Sequence, residues 1–395
     1  MPAVVLRGVT WGHTRGYLPM VATAQRYSEL HSDVRIDWDI RSLQSFADES
    51  IATLSQRYDL LVIDHPSIGE AASHGIFVPL DIFLPVDFLQ DQSNNSVGAS
   101  YASYHFANHQ WALAIDAAAP VAASRPDILE AEGFAEPATW DEMLELGRAG
   151  LVALAGLPLD CLMHWYSLCI NEGQTPFKSA ETIVDKEVGL AALEAIKELI
   201  TICGESSLTR NPIAAYELMT SSDNYGYSPL AYGYSNYARP GYSISSRGAL
   251  LFGPPPTRLG KALCTTLGGA GLAVSARCSG LALQTALNYA QYVASGPIQM
   301  GLFTASGGQP GYRGAWLDGE NNRVTGNFFG RTLAALDSAY VRPRHERAIE
   351  FQILATGVMD TYLRSRLSAQ EAFSALNELD FRLGRRNTSM IEATT

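Results

Sequence analysis

The stretch Val34-Arg35-Ile36-Asp37-Trp38-Asp39-Ile40-Arg41 decides the fold class, because Val34, Ile36, Trp38 and Ile40 alternate with Arg35, Asp37 and Asp39. That two-residue period is what a half-buried β-strand requires, since successive side chains point to opposite faces. Upstream, an apolar run from Val4 to Val9 ends at Thr10-Trp11-Gly12-His13-Thr14-Arg15-Gly16, and a helical segment follows with Met20, Ala24 and Tyr27 on one face. Downstream, a second helical segment carrying Phe46, Ile51 and Leu54 leads to Leu60-Leu61-Val62-Ile63 and then Asp64-His65-Pro66. A continuous apolar run of that length fits a strand covered on both faces. The alternation of strand and helix predicts an open, mostly parallel α/β sheet, whose ligands bind at the carboxyl ends of the strands. The polar residues just after each strand are therefore pocket candidates: Trp11, His13, Arg15, Arg41, Asp64 and His65. Asp116 joins them, because Trp111, Leu113 and Ile115 alternate as a strand does and Asp116 stands where that strand should end, at a rim.

Past Asp116 the chain opens a second lobe. Thr139 with Glu142 three residues on forms a capping box, which satisfies free amides at a helix start and predicts a helix from Trp140. Further helices are expected from Asp160, through Leu162, Trp165 and Leu168 to about Gly173, from Asp185, and from Asn211-Pro212. Between Asp223 and Tyr242 the composition shifts to Tyr, Gly, Ser and Asn, with Tyr225, Tyr227, Tyr232, Tyr234, Tyr237 and Tyr242. Such rings suit stacking on sugar C–H faces with a hydroxyl at the edge, and an interlobe surface accounts for them equally well. Leu267 to Val274 reads as a strand, Leu281 to Ala294 as a helix, Gly307 to Gly311 as a turn, and Ser368 with Glu371 as a second capping box.

At 395 residues the chain exceeds one ordinary core, and two or three domains of about 100 to 200 residues are expected. No apolar run approaches the roughly 20 residues of a membrane helix. The net charge of −12 argues against nucleic acid, whose phosphates call for clustered Lys and Arg; short basic pieces occur only near Arg342 and Arg385. Five cysteines (Cys161, Cys169, Cys203, Cys264, Cys278) make an odd number without a C-x-x-C pair, pointing to buried free thiols rather than a metal site or disulfide framework. No G-x-S-x-G elbow, Walker loop or H-E-x-x-H occurs, and Gly269-x-Gly271 lacks the third glycine of a dinucleotide fingerprint, so no cofactor and no metal are expected.

The tract Asn108-His109-Gln110-Trp111-Ala112-Leu113-Ala114-Ile115-Asp116, then Arg125-Pro126-Asp127-Ile128-Leu129, then Pro137-Ala138-Thr139-Trp140-Asp141-Glu142, resembles the signature of the family 1 extracellular solute-binding proteins, the sugar-binding components of ABC importers. Val78-Pro79-Leu80-Asp81, Gly268-Gly269-Ala270-Gly271-Leu272, Gly307-Gly308-Gln309-Pro310 and Val341-Arg342-Pro343-Arg344 extend the likeness along nearly the whole chain. The resemblance implies a two-lobed, periplasmic-binding-protein-like α/β fold of type II, with residues 1–116 and 268–317 in the first lobe and 117–267 and 318–395 in the second. It also implies three crossings between lobes, a ligand cleft between them that closes by hinge motion, and a monomer that docks on the transmembrane subunits of an importer. A periplasmic location follows from the family, whereas Met1-Pro2-Ala3-Val4-Val5-Leu6 reads straight into a first strand without a signal peptide, so the cytoplasm stays open.

Under that resemblance the ligand is a sugar, polyol or uronate, and no catalysis is expected. Candidate contacts from the second lobe are His164, Trp165, Asn224 and Tyr225; Gly269 and Gln309 come from the first. Arg15 and Arg41 offer planar forks for a uronate carboxylate, against the alternative of ion pairs with Asp64, Asp116 or another acid. The competing enzymatic reading is a carbohydrate-active hydrolase using Asp64 and Asp116 as acid and base.

Overall fold

In the computed structural model, residues 3–179, 181–242 and 248–383 are described. The basic piece near Arg385 lies outside them. The strands are β1 (Val4–Trp11), β2 (Val34–Arg41), β3 (Leu60–Ile63), β4 (His105–Phe106), β5 (His109–Gln110), β6 (Leu113–Ala118), β7 (Pro120–Ser124), β8 (Tyr227–Tyr232), β9 (Leu251–Gly253) and β10 (Gly268–Val274). The chain divides into two compact units, one comprising Met1–Ala118, Leu267–Arg323 and Val341–Ile349, the other Ala119–Thr266, Val324–Tyr340 and the chain from Glu350 onward.

The first unit is built on a five-stranded sheet in the order β2-β1-β3-β10-β6. β1 pairs in parallel with β2 and β3, as the strand–helix alternation predicts, because a crossover helix is needed to bring each strand back in the same direction. β10 runs antiparallel to both β3 and β6. Both faces of the sheet are covered. Leu60 and Val62 join one apolar cluster with Leu6, Met20, Tyr27 and Tyr289, while Leu61 and Ile63 join another with Leu54, Phe77, Tyr104 and Trp111. The unbroken apolar run of β3 has this cause: successive residues enter opposite cores, and neither face meets water.

Asp116 is not at a rim. β6 continues through Ala117 and Ala118, and Asp116 lies within it, 2% exposed. The expected ending failed because an arginine 101 residues away neutralises the carboxylate inside the sheet. The segment Val341–Ile349, assigned on the sequence to the second lobe, is tied into the first unit. Arg342 reaches Asp64 and the Leu267 carbonyl, and Arg344 donates to the Ala102 and His105 carbonyls.

The second unit carries the antiparallel sheet β8-β7-β9 and most of the helices. Its core packs Leu162, Trp165, Tyr166 and Leu168 of the helix Pro158–Asn171 against Leu193, Ile196 and Leu199 of the helix Lys186–Cys203, with Met359, Phe373 and Leu376 closing it. Both capping boxes form as expected, at Thr139–Glu142 and Ser368–Glu371. Asp160 is a correction: the helix starts at Pro158 with Leu157 at the N-cap, so Asp160 sits inside the first turn. Proline's fixed φ and missing N–H favour the first helical position, and that preference outweighed the capping tendency of aspartate. Among the described residues no helix is long and apolar enough to cross a membrane.

Candidate functional site

The carboxyl ends of β1, β2 and β3 carry the first group of candidates. Trp11 closes β1 with its ring 5.1 Å from that of Phe46, and Gly16 packs so tightly on it that an added Cβ would stand 2.4 Å from the indole Cδ2. Its Nε1 is buried without a hydrogen-bond partner. His13 is the N-cap of the helix Thr14–Leu30, its Nδ1 accepting from the Arg15 amide at 3.0 Å. Burial, with Arg15 adding to it, lowers His13 to about 4. His65 follows β3 and Asp64, is fully buried, and has both ring nitrogens without a hydrogen-bond partner. Its Nδ1 lies 3.3 Å from Asp64 Oδ1, within ion-pair distance but not aligned as a hydrogen bond. Burial above all, then Arg342, lowers His65 to about 4 against the pull of Asp64. These imidazoles are therefore neutral at pH 7, each able to donate through one nitrogen and accept through the other.

The charged candidates are engaged with each other or with backbone. Arg15 grips Asp116 through Nε at 2.9 Å and through a second bond from its terminal nitrogen, with the two side chains 4% and 1% exposed. Burial pushes Asp116 up, only partly offset by Arg15 and the Gln309 amide. Asp64 takes one nitrogen of Arg342 on its two oxygens, at 2.6 and 2.7 Å, and its Oδ1 also accepts the His65 amide at 2.9 Å. Burial alone would raise Asp64; Arg342 and His65 together hold it well below the usual carboxylate range. Arg41 donates to the Val62 and Ser45 carbonyls and lies over the Phe46 ring, so it braces the end of β2 against β3. The hydrolase reading needed Asp64 and Asp116 as an acid and base free to exchange protons with substrate. Each is instead held in a buried arginine pair, and the acid–base assignment is withdrawn on that ground.

Gln309 and Gly269 organise the same end of the sheet. Gln309 donates from Nε2 to the Ala117 carbonyl at 2.8 Å and accepts the Ala117 amide at its own carbonyl, pinning the turn Gly307–Gly311 to β6. Gly269 adopts φ +108°, and a Cβ there would meet the Asp116 carbonyl oxygen at 2.2 Å. Both are parts of the frame.

In the second unit, Trp165 is fully buried, donates to the Gly189 carbonyl at 3.1 Å and offers no face to a ligand. Its apolar neighbours on both sides are the reason. His164, 3% exposed, bonds to the Leu230 backbone and is lowered to about 4 by burial, with that bond opposing the shift. Tyr225 is partly exposed beneath the Arg210 guanidinium, 5.7 Å from the ring, and Asn224 is exposed beside it. Tyr227, Tyr234 and Tyr237 turn inward, and Tyr232 and Tyr242 are half-buried. Tyr234 and Tyr237 pack on Tyr216, which in turn meets Phe252, and the Tyr237 hydroxyl donates to Glu217 at 2.6 Å. A helix of the same unit supplied partners for rings that composition alone made available for stacking.

By sequence the chain matches no protein-family model and no curated protein. By structure it superposes along its length on solved proteins. Maltose-bound MalE3 of T. maritima matches with a TM-score of 0.82 at 17% identity, covering 96% of this chain and all of the other. A ribitol complex of an ABC transporter solute-binding protein from Agrobacterium radiobacter gives 0.80 at 16%, covering 97% and 99%. A solute-binding protein from Thermotoga lettingae with α-D-tagatose gives 0.79 at 14%, covering 95% and 98%. The chain has the two-lobed solute-binding-protein fold. In that fold's terms, β1, β3, β6 and the turn Gly307–Gly311 form one lobe's polar strand ends, and Tyr225, His164 and the start of the helix Pro158–Asn171 belong to the other lobe.

Sequence reasoning missed two residues. Arg342 was quoted as part of a motif but given no partner, and 278 residues separate it from Asp64. Asp160 was read only as a cap; the proline two residues before it was the available signal.

Proposed function

We propose that the chain is a solute-binding protein that captures a small neutral carbohydrate or polyol and delivers it, as a monomer outside the cytoplasmic membrane, to the transmembrane subunits of an ABC importer. The observation that carries this reading is the whole-chain likeness in fold to proteins solved with maltose, ribitol and tagatose. Neutrality of the ligand is argued from the strand ends. Arg15 is spent on Asp116 and Arg41 on two carbonyls, so neither guanidinium is held in reserve for a uronate carboxylate. What the strand ends hold instead is the unpartnered Trp11 Nε1 and the neutral His13 and His65, groups that match hydroxyls, which both donate and accept.

A thermal-shift panel of maltose, ribitol, tagatose and other neutral sugars against glucuronate and galacturonate tests the reading. Ligand at about 100 times its dissociation constant adds about 2.7 kcal/mol of stability, which raises the melting temperature measurably. Neutral hits without uronate hits are the expected result. Uronate hits alone would overturn the argument from the arginines, and no hit across a broad panel would overturn the carbohydrate reading itself.

A further inference from the structure

His65, next to Asp64 at the end of β3, is a buried ring with neither nitrogen satisfied among the described residues. It is fully enclosed, and its plane stands at 86° to that of Tyr104 with centroids 6.3 Å apart. A neutral imidazole leaves one donor and one acceptor idle in such a place. An imidazolium would bring two donors and a charge, and burial of an unpaired charge costs far more.

The segment Val341–Ile349 belongs to the first unit, although the chain on both sides of it, up to Tyr340 and from Glu350, belongs to the second. It is therefore held in place by side chains rather than by the elements that flank it. Arg342 binds Asp64 and donates through Nε to the Leu267 carbonyl at 3.2 Å. Arg344 donates to the Ala102 and His105 carbonyls, each at 2.9 Å. The segment also lies against the helix Ile68–His74 so closely that a Cβ on Gly69 would run into the Arg344 carbonyl.

The charges that act on His65 come chiefly from this segment. Arg342 and Arg344 disfavour a proton on the ring, and Asp64, which favours one, is already shared with Arg342. Tyr104, raised by burial, stays neutral, and His105 contributes its carbonyl to Arg344. At the outer end His74 lies 3.5 Å from Glu346, both more than half exposed, and protonating His74 strengthens that contact. An exposed pair of this kind is worth little, so it opposes acid release only weakly. Asp64 is held well below the usual carboxylate range and keeps its charge down to about pH 4.

We propose that Val341–Ile349 is an acid-released strap: a proton entering His65 creates a buried imidazolium beside two arginines, and the segment detaches from the first unit to let that ring reach water. The sign follows from the imidazole. Free in water it titrates near 6.5, whereas burial and the arginines lower it to about 4 in the closed form. Closure is thus fully favoured above pH 6.5 and weakens as pH falls towards the closed value. The inference holds for any ligand and does not depend on the carbohydrate reading.

Hydrogen exchange of the full chain between pH 7.5 and 4.5, corrected for the intrinsic rates, tests it. The opening constant of Val341–Ile349 is expected to rise roughly seventyfold over that range, while the segment stays less protected than β1 throughout, as a local opening requires. His65→Phe removes the titrating ring and flattens the profile; should that variant fail to fold, His65→Gln takes its place. His74→Gln, at the exposed contact, leaves the rise in place. A flat wild-type profile, a rise that survives replacement of His65, or exchange of the segment only together with β1 would each overturn the proposal.

Discussion

Replacing Arg15 with Met removes the guanidinium from Asp116 while keeping most of the side chain's bulk. Both partners are more than nine-tenths buried, so solvent screens the pair little, and the carboxylate loses both bonds it receives from that side chain. Removing one member of a buried pair costs about 3–5 kcal/mol, chiefly because the other is left uncompensated. Asp116 is already raised by burial, and without Arg15 it rises further, so the orphan is relieved by taking up a proton. The sign follows. A carboxyl whose folded-state pKa exceeds its unfolded value destabilises the fold as pH climbs from the unfolded value, about 3.9, through the folded one. The cost of Arg15→Met is therefore smallest near pH 4 and largest at neutral and alkaline pH. Urea unfolding followed by circular dichroism at pH 4.5 and 8 measures it, alongside Asp116→Asn and the double variant. The double variant should cost less than the sum of the singles, by about 2 kcal/mol or more, since neither partner is then a stranded charge. A cost below about 1 kcal/mol at pH 8, a cost independent of pH, or strict additivity would refute the assignment of this pair as the neutralised centre of β6.

Three further outcomes are expected. Arg342→Met should destabilise the first unit by about 3–5 kcal/mol at pH 7 and expose Val341–Ile349 to hydrogen exchange; because Asp64 is held below its ordinary range, the contribution is present above about pH 4 and fades as pH falls through the folded value. Gly269→Ala should cost more than about 1 kcal/mol in thermal unfolding, since the added methyl meets the Asp116 carbonyl in a backbone conformation alanine disfavours. Trp165→Ala should cost about 3–5 kcal/mol, while Trp165→Phe should lower the melting temperature and leave probe affinity unchanged; a loss of affinity with unchanged stability would put that ring back on the ligand.

Local signals carried the fold a long way. The alternation of Val34 to Ile40, the apolar run Leu60–Ile63 and the box at Thr139–Glu142 each encode their own element, because period, burial on both faces and end-capping are decided within a few residues. The strand at Leu267–Val274 was also visible, but its antiparallel seat between β3 and β6 was not, since pairing partners so distant in sequence leave no mark on either segment. The candidate site fared according to the same rule. Strand ends were legible, and with them Trp11, His13 and His65. Which acid each arginine meets was not: Arg15 with Asp116 and Arg342 with Asp64 are facts of the folded chain alone. The tyrosine segment misled because ring count is a property of composition, whereas exposure depends on Tyr216 and Phe252 arriving from elsewhere.

The seat of β10 has a consequence for the order in which this protein can be made. β6 touches the rest of its sheet only through β10, so the first 118 residues, though they hold four of the five strands, lack the member that joins the fourth to the others. Closing a loop of this length costs on the order of 4 kcal/mol in chain entropy before any contact is repaid. A nascent chain stopped after Ala118 would carry β6 as an unpaired segment, and the sheet would close only once Gly268–Val274 had left the ribosome. The second unit's sheet β8-β7-β9 is complete by Gly253, before β10 is made, although Met359, Phe373 and Leu376, which close that unit's core, come later. The amino-terminal sheet is thus begun first but closed only after the second unit's sheet has been made, and refolding of a 1–118 fragment should yield no stable native sheet until a peptide bearing Leu267–Val274 is supplied.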